Sequence, residues 1–405
     1  MVELAVSPAH RRLRDRLHRV TRFDLLPTPA VQRAFADHHT TGDPVAERFV
    51  AETYHGELGP ERSRELLDEA LRVGVDNVPG APESMRALFA EFESVPDWLE
   101  PDLVERGAAV WRRWAYSLGA VGNAGTMDTY TEASLAVPLS LSGGYAGASA
   151  LHRYLETSRW WLEVCRPGAV LTPGSTAREL SLKVRVMHVS VRARVAEHPE
   201  WNTAEHGLPI SQSEMMLTLL GGSVGPALGL FSLGFLTSPA EMRAVLHFNR
   251  YLGHLVGCQV DDMYPATVAD GVRLLYFFDA TRKHDSGPLG AELVEGFVPS
   301  FAPDDSVRGP ARLRANYHLL LQAGYTRLFM LPWNRRRYRL PSGLPGLAVL
   351  IGRAPLVAVV ELARRLSPAI DRRWQDGQVR RWRRWHAWHL GHREERFDAG
   401  KQLRR

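Results

Sequence analysis

Cysteine is scarce in this chain, and its scarcity excludes several kinds of site. Among 405 residues there are two cysteines, Cys165 and Cys258. A single pair cannot build a disulfide framework, and a thiolate-rich zinc or iron–sulfur centre needs more cysteines than this. The two thiols are most simply small core residues.

Strand patterns and repeats are also scarce. Weak period-two alternation occurs only near residues 274–278 and 328–340, where short β segments remain open. No internal repeat recurs at a fixed period. Apolar residues at helical spacing are frequent, as in residues 60–74, 82–95 and 96–119. The sequence therefore predicts an all-α protein.

Uninterrupted hydrophobic runs are few. Residues 215–240 carry no charge and are long enough to cross a bilayer. Three glycines and a proline interrupt this run near its middle: Gly221, Gly222, Gly225 and Pro226. We predict a hairpin of two short helices buried in a core rather than a membrane span. Residues 344–360 are a weaker candidate for a span, because two prolines and an arginine interrupt them.

A secretory signal is not evident, and the positive charge is concentrated at one end. Residues 1–20 carry charges with no apolar run behind them, so we expect no signal peptide and a cytoplasmic location. Residues 371–405 hold 11 Arg and Lys against 5 Asp and Glu. The whole-chain net charge is +5, so the rest of the chain is close to neutral. This distribution makes nucleic acid a poor candidate partner.

The basic tail, residues 371–405, is rich in tryptophan. Trp382, Trp385 and His389 share a helical face with arginines around them. We favour docking of these tryptophans on the domain, with the arginines in solvent. Peripheral contact with the inner face of an anionic membrane is the second interpretation. Stacking on single-stranded nucleic acid is the third.

Three side chains within residues 176–194 form the most informative pattern. Arg185, His188 and Arg192 are spaced by three and four residues, which places them on one face of a helix. Histidine can ligate haem iron, and arginines can pair with the two propionates. A core histidine between surface arginines is the simpler alternative. Thr176 and Glu179 predict a capping box at the helix start.

A preceding helix, predicted over residues 148–164, offers a second polar stripe. Arg153, Glu156 and Thr157 fall three and four residues apart on it. A flat cofactor between the two helices would have His188 on one side and these three residues on the other. The alternative is an intrahelical pair of Arg153 with Glu156, and a Thr157 hydroxyl bonded to its own backbone.

Four motifs occur in order along the chain: Arg-x-x-x-Thr at 153–157, Arg-x-x-His-x-x-x-Arg at 185–192, GLPISQSEM at 207–215 and FNRYLGHLVG at 248–257. Together they make the chain resemble the MpaB-type and rubber oxygenase family, which includes the latex clearing proteins. Each motif is degenerate alone, but their order and spacing match over residues 96–265. The remainder matches only in length and helical character.

The resemblance implies a helical fold with a globin-like core and haem b sandwiched between helices. His188 matches the axial ligand of the iron, and Arg192 matches the arginine one turn beyond it. Arg153 and Thr157 match the distal arginine and threonine. Arg185 is a predicted propionate partner through its place on the His188 face. Relatives use O2 to cleave carbon–carbon double bonds of isoprenoid chains, so we expect an oxygenase with an apolar unsaturated substrate.

One residue departs from the family pattern. Latex clearing proteins have a lysine before the distal threonine, where this chain has Glu156. This difference puts rubber as the substrate in doubt. Glu156 is instead a candidate base for an allylic proton, provided that burial raises its pKa.

The predicted organisation has four parts. Residues 1–95 form an N-terminal helical segment, 96–265 the haem core, 266–370 a helical continuation of the same domain, and 371–405 the tail. The uncharged residues 133–151 and 215–240 are expected to line a substrate channel. Two alternatives stay open: a haem- or lipid-binding helical protein without turnover, and the family fold without haem.

Overall fold

The structure, a computed structural model, describes residues 6–142, 148–259, 261–303 and 305–391. Its regular secondary structure is helical throughout these ranges, with no strand, which confirms the all-α prediction. The first five α-helices in chain order are α1 (Pro8–Thr21), α2 (Pro29–His38), α3 (Pro44–Thr53), α4 (Gly59–Val73) and α5 (Glu83–Glu93). Ser7, Thr28 and Asp43 cap α1, α2 and α3, each directly before a proline at the first helical position.

The middle of the chain supplies the central helices. They are α6 (Pro101–Thr129), α7 (Ala133–Leu141), α8 (Ala148–Val164), α9 (Thr176–Ala196), α10 (Thr203–His206), α11 (Gln212–Gly221), α12 (Val224–Phe231) and α13 (Pro239–Leu255). The remaining helices are α14 (Val268–Thr281), α15 (Gly287–Phe297), α16 (Gly309–Phe329), α17 (Pro332–Arg335), α18 (Leu344–Leu366) and α19 (Pro368–Leu390).

Both candidate β segments were wrong. Residues 274–278 lie inside α14, where Leu274, Phe277 and Phe278 are buried at helical spacing. Residues 328–340 contain the end of α16, the short α17 and irregular backbone. In residues 274–278 the buried apolar side chains lie three to four positions apart, so they form one face of a helix rather than one face of a strand.

Helix α6 lies at the centre of the molecule and packs against α13, α16 and α19. Gly107 lets α13 come close, because a Cβ there would lie 2.3 Å from the Ala244 carbonyl oxygen. Trp111 and Trp114 of α6 and Phe248 of α13 are fully buried in the same core. Side chains from Phe35 to Trp385 belong to this one hydrophobic cluster. The predicted division of the chain at residues 95, 265 and 370 stays a prediction.

The uncharged run at residues 215–240 is broken as predicted. Helix α11 ends at Gly221 and α12 begins at Val224, so the run forms two short helices. Two stretches are long and apolar enough to cross a membrane by length and composition, Gln212–Phe231 and Leu344–Leu366. The first is 67% buried and belongs to the core, whereas the second is 17% buried.

The described part of the basic tail docks on the domain. Helix α19 packs against α6 and α8, and Trp382 and Trp385 are buried there. Arg383 and Arg384 point to solvent. For residues 371–391 the docking interpretation is therefore the one observed. Residues 392–405 lie outside the described part of the chain, as do residues 143–147 of the uncharged run at 133–151.

Candidate functional site

Helix α9 begins one residue earlier than its sequence pattern suggested. Ser175, not Thr176, is the N-cap, and its hydroxyl accepts a hydrogen bond from the Arg178 backbone N–H. The predicted capping box at Thr176 was therefore wrong in register. Both residues are good N-caps, and the turn at Gly174, with φ +67°, selects the first of them.

Arg185 is buried on α9 and paired with carboxylates from two other elements. Its Nε and Nη2 donate to the Asp43 carboxylate at 2.7 and 2.9 Å, and Nη2 also donates to Glu91 Oε1 at 2.6 Å. Gly257 packs against this pair with φ +78°, and a Cβ there would lie 2.2 Å from Asp43 Oδ2. Arg185 thus ties the N-terminus of α3 to α9, and its Nη1 remains without a partner among the described residues.

Arg192 forms a second anchor on the other side of His188. Its Nη1 lies 3.1 Å from Glu47 Oε1 on α3. Its Nε and Nη2 donate to the backbone carbonyls of Pro209 and Ile210 at 3.1 and 2.5 Å. Ile210 adopts a positive φ of 52°, which is uncommon for a β-branched residue. Arg192 therefore holds the GLPIS segment and α3 against α9.

His188 lies between these two anchors with a partly buried imidazole. Its Nδ1 is buried and has no hydrogen-bond partner within the described ranges. Burial and then repulsion by Arg192 lower the pKa of His188 to about 4, so the ring is neutral at pH 7. A buried ring nitrogen without a partner is unusual in a folded protein. A neutral imidazole can ligate a metal, but the unpartnered Nδ1 does not single out His188, because His38, His152 and His284 share this feature.

One hydrogen bond sets the register of α8 against α9. Near the end of α8, Trp160 Nε1 donates to Ser181 Oγ near the start of α9 at 2.9 Å. Because the two helices form a hairpin, residues before Trp160 lie beside residues after Ser181. Seven residues make two turns on one helical face, so this register brings Arg153 level with His188.

The polar side chains of α8 bond within their own helix, as expected if they do not face a cofactor. Arg153 Nη1 donates to Glu156 Oε2 at 3.1 Å, and His152 Nε2 lies 3.6 Å from Glu156 Oε1. Thr157 Oγ1 donates to the Arg153 carbonyl oxygen at 3.3 Å. Glu156 is buried, whereas Thr157 is exposed although it lies in the middle of the helix. The carboxylate is thus held between two basic side chains of its own helix.

Glycines mark the junction of α11 and α12, which touches α8. A Cβ on Gly222 would lie 3.3 Å from Trp161, one turn beyond Thr157, so the α11–α12 junction touches α8. A Cβ on Gly221 or Gly225 would meet no atom of the described residues within 4 Å. The face of α11 and α12 next to this contact is therefore uncharged and open.

Four acidic residues around α9 were missed by sequence reasoning. Asp43, Glu47 and Glu91 belong to the N-terminal segment, and the sequence marks only Asp43, as a helix cap before proline. Glu214 of α11 forms a capping box with Ser211. Burial raises the pKa of Glu214 to about 8, so it carries a proton at neutral pH. The S-x-x-E pattern at 211–214 was the available signal for it.

A separate cluster, His10, Asp279 and His284, has the composition of a metal site. Its ligand atoms lie within 4.8 Å of one another. His10 already pairs with Asp279 Oδ2 at 2.8 Å and with Ser7 Oγ at 2.7 Å. Arg282 also pairs with the Asp279 carboxylate. A guanidinium at the single carboxylate opposes a bound cation, so the cluster is an ion-pair network that fastens α1 to α14.

Comparison with known proteins identifies a family and a fold. The family described as "ER-bound oxygenase mpaB/B'/Rubber oxygenase, catalytic domain" matches residues 108–388. A rubber oxygenase of Streptomyces sp. (strain K30) is 25% identical over 193 residues, which are 46% of this chain and 46% of that protein. The matched region thus spans about half the length of that curated relative.

A solved structure shares the fold. The latex clearing protein LCP in its closed state superposes with a TM-score of 0.62, at 20% identity. The match covers 85% of this chain and 91% of that one. At this identity the likeness concerns the fold, and it extends well beyond residues 96–265, where the motifs lie.

Proposed function

Because the chain belongs to the mpaB and rubber oxygenase catalytic-domain family, we propose that it is a haem b-dependent oxygenase. Its substrates would be O2 and an apolar, unsaturated isoprenoid or lipid-like molecule. The observation that carries the proposal is the neutral imidazole of His188, which lies between the buried Arg185 and Arg192 anchors on α9. When bound, haem supplies an iron centre for oxygen chemistry.

We assign Arg185 and Arg192 first to positioning His188. Their guanidinium groups bind Asp43, Glu91 and Glu47, which fixes α9 against α3. A ligand helix fixed in this way would hold the imidazole in place through packing. We propose Nη1 of Arg185, which is buried and has no partner among the described residues, as the donor to a haem propionate.

The α8 stripe would supply the groups on the substrate side. Arg153 offers a cationic donor for negative charge that develops during oxidation, and Thr157 offers a hydroxyl. Glu156 would accept an allylic proton, and its contacts with Arg153 and His152 hold the carboxylate in place. In this role Glu156 would act as a base, in place of the lysine that latex clearing proteins have at this position.

The uncovered, uncharged surface at Gly221 and Gly225 is where we place the apolar chain of the substrate. Gly221 and Gly225 keep the adjoining face of α11 and α12 small and uncharged. An apolar substrate gains from leaving water for such a surface. The double bond that is attacked would lie beside the Arg153 and Thr157 stripe.

Oxygen uptake by the haem-loaded protein tests the proposal. We expect uptake on addition of an oligomeric isoprenoid, and a large loss in Glu156→Gln. Glu163→Gln is the matched control, because Glu163 is also buried on α8 and also pairs with arginines three and four residues away. Haem binding without uptake of O2 for any unsaturated lipid would favour the alternative of a non-catalytic haem- or lipid-binding protein.

A further inference from the structure

Helix α18 presents a long apolar face to solvent. Six large side chains along it are each more than half exposed: Leu344, Ile351, Leu356, Val359, Leu362 and Leu366. They recur at helical spacing over the whole length of 23 residues. The single exposed charge on the helix is Arg365, since Glu361 and Arg364 are buried and Arg353 is partly buried. An exposed apolar surface of this extent marks a contact surface.

The opposite face fixes α18 lengthwise to the domain. A Cβ on Gly346 would lie 1.9 Å from the Leu320 carbonyl oxygen, so α18 and α16 approach as closely as backbones can. Leu350 is buried in the same interface. At the far end Arg364 pairs with Glu241 of α13 at 2.8 Å. These contacts keep α18 on the surface, and crossing a bilayer would require breaking them.

The apolar surface continues from α18 onto the end of α12. Just beyond α12, Gly234 has a φ of +92°, and a Cβ there would lie 2.2 Å from the Ala354 carbonyl oxygen of α18. Leu228 and Phe231 of α12 are both more than half exposed. The apolar surface of α18 is thus continued by these two side chains of α12.

Exposed arginines precede and follow α18 in the chain. Arg336, Arg337 and Arg339 precede α18 and are exposed. Arg365 ends the helix, and Arg372 and Arg373 follow it at the start of α19, again exposed. An apolar stripe with cations at its ends matches the chemistry of a bilayer surface that contains anionic lipid.

We propose that α18 lies in the interface of an anionic membrane, with its apolar face and Leu228 and Phe231 among the acyl chains. A second copy of the chain fits this surface less well. Arginines lie at both ends of α18, so pairing this helix with the α18 of a second copy would bring positive charges close together whichever way the two helices run. The proposal concerns binding of the protein to lipid and does not depend on haem.

Flotation of the full-length protein with vesicles tests it. We expect binding to vesicles of phosphatidylcholine with phosphatidylglycerol, and little binding to phosphatidylcholine alone or at high salt. Leu356→Ser/Val359→Ser should weaken binding roughly tenfold or more. Arg372→Gln/Arg373→Gln should weaken binding to the anionic vesicles only. The side chains replaced in these two variants are all exposed, so we expect their thermal unfolding to match that of the unsubstituted protein.

Val20→Ser/Val95→Ser is the matched control, because these valines are 84% and 73% exposed but lie far from α18 in the chain. It should bind vesicles as the unsubstituted protein does. The proposal would be overturned if Val20→Ser/Val95→Ser lost as much binding as Leu356→Ser/Val359→Ser. It would also be overturned if the unsubstituted protein did not bind the anionic vesicles. A dimer in light scattering that Leu356→Ser/Val359→Ser dissociates would assign the surface to a second copy instead.

Discussion

Helices α9 and α19 both contain histidine close to arginines, yet the fold uses these residues in opposite ways. In α9 the arginines are buried on carboxylates of other elements, and His188 between them keeps an unpartnered ring nitrogen among the described residues. In α19, Arg383 and Arg384 are exposed, and His386 Nε2 is bonded to the Leu155 carbonyl oxygen at 2.9 Å. Arginines beside a histidine therefore do not predict how it is used, because the partners of those arginines differ between the two helices.

The first prediction breaks the α9 anchor and has the largest expected effect. Arg185→Ala leaves the Asp43 carboxylate, which is 2% exposed, without its counter-charge. We expect a loss of about 3–5 kcal/mol in the free energy of unfolding, measured with urea. Asp43→Ala/Arg185→Ala should recover part of this loss, because it removes both buried charges. A loss below about 1 kcal/mol in Arg185→Ala would contradict the assignment of this pair as an anchor.

The second prediction concerns pH and the histidines of the α19 contact. Burial is the main cause that lowers the pKa of His318 to about 4 and that of His389 to about 3. The unfolded chain binds protons on both below pH of about 6.5, so their contribution is fully present above that pH. This contribution to the free energy of unfolding is lost as the pH falls from 6.5 toward 4. The loss is at most about 1.4 kcal/mol per pH unit for each histidine.

Variants of the pair separate this dependence from general acid unfolding. His318→Gln/His389→Gln should show a flatter change in unfolding free energy between pH 7 and pH 5 than the unsubstituted protein. Exposed His55 supplies the control, and His55→Gln should keep the original slope. Identical slopes in all three proteins would exclude the pair as a pH-dependent contact.

The third prediction tests the register of α8 against α9. Ser181→Ala removes the acceptor of Trp160 Nε1 and should cost about 1 kcal/mol of unfolding free energy. Ser190→Ala on the same helix is the matched control, since its hydroxyl bonds only the Val186 carbonyl oxygen four residues earlier. We expect little effect there. Equal effects in the two variants would remove the argument that brings Arg153 level with His188.

The fourth prediction concerns the arginines of α19 and has the smallest expected effect. Arg383→Gln/Arg384→Gln changes two exposed arginines of α19 and should alter the unfolding free energy by no more than about 0.5 kcal/mol. Denaturant unfolding checks this value. A loss comparable with that of Arg185→Ala would mean that these arginines are also anchors.

Helical period alone predicted much of the fold. The bounds of α8, 148–164, coincide with those expected from its apolar spacing. Helix α9 begins one residue earlier than its capping pattern predicts and ends two residues beyond the segment 176–194. The break between α11 and α12 follows from glycine and proline at 221–226. These features are local, and a sequence pattern contains the physical information that fixes them.

Partners far apart in sequence were not predictable. The spacing of Arg185 and Arg192 placed them on the His188 face, but Asp43 lies 142 residues before Arg185. No local pattern relates the two, because the contact depends on how α3 packs against α9. The exposed face of α18 was missed for the same reason, since an apolar helix is buried or exposed only through its neighbours.

The absorption spectrum of the protein after reconstitution with haem tests the central claim most directly. The unsubstituted protein should show a Soret band that shifts or disappears in His188→Ala and is unchanged in His386→Ala. That result would identify His188 as the axial ligand. A folded protein without a Soret band, or a spectrum that His188→Ala leaves unchanged, would contradict the account.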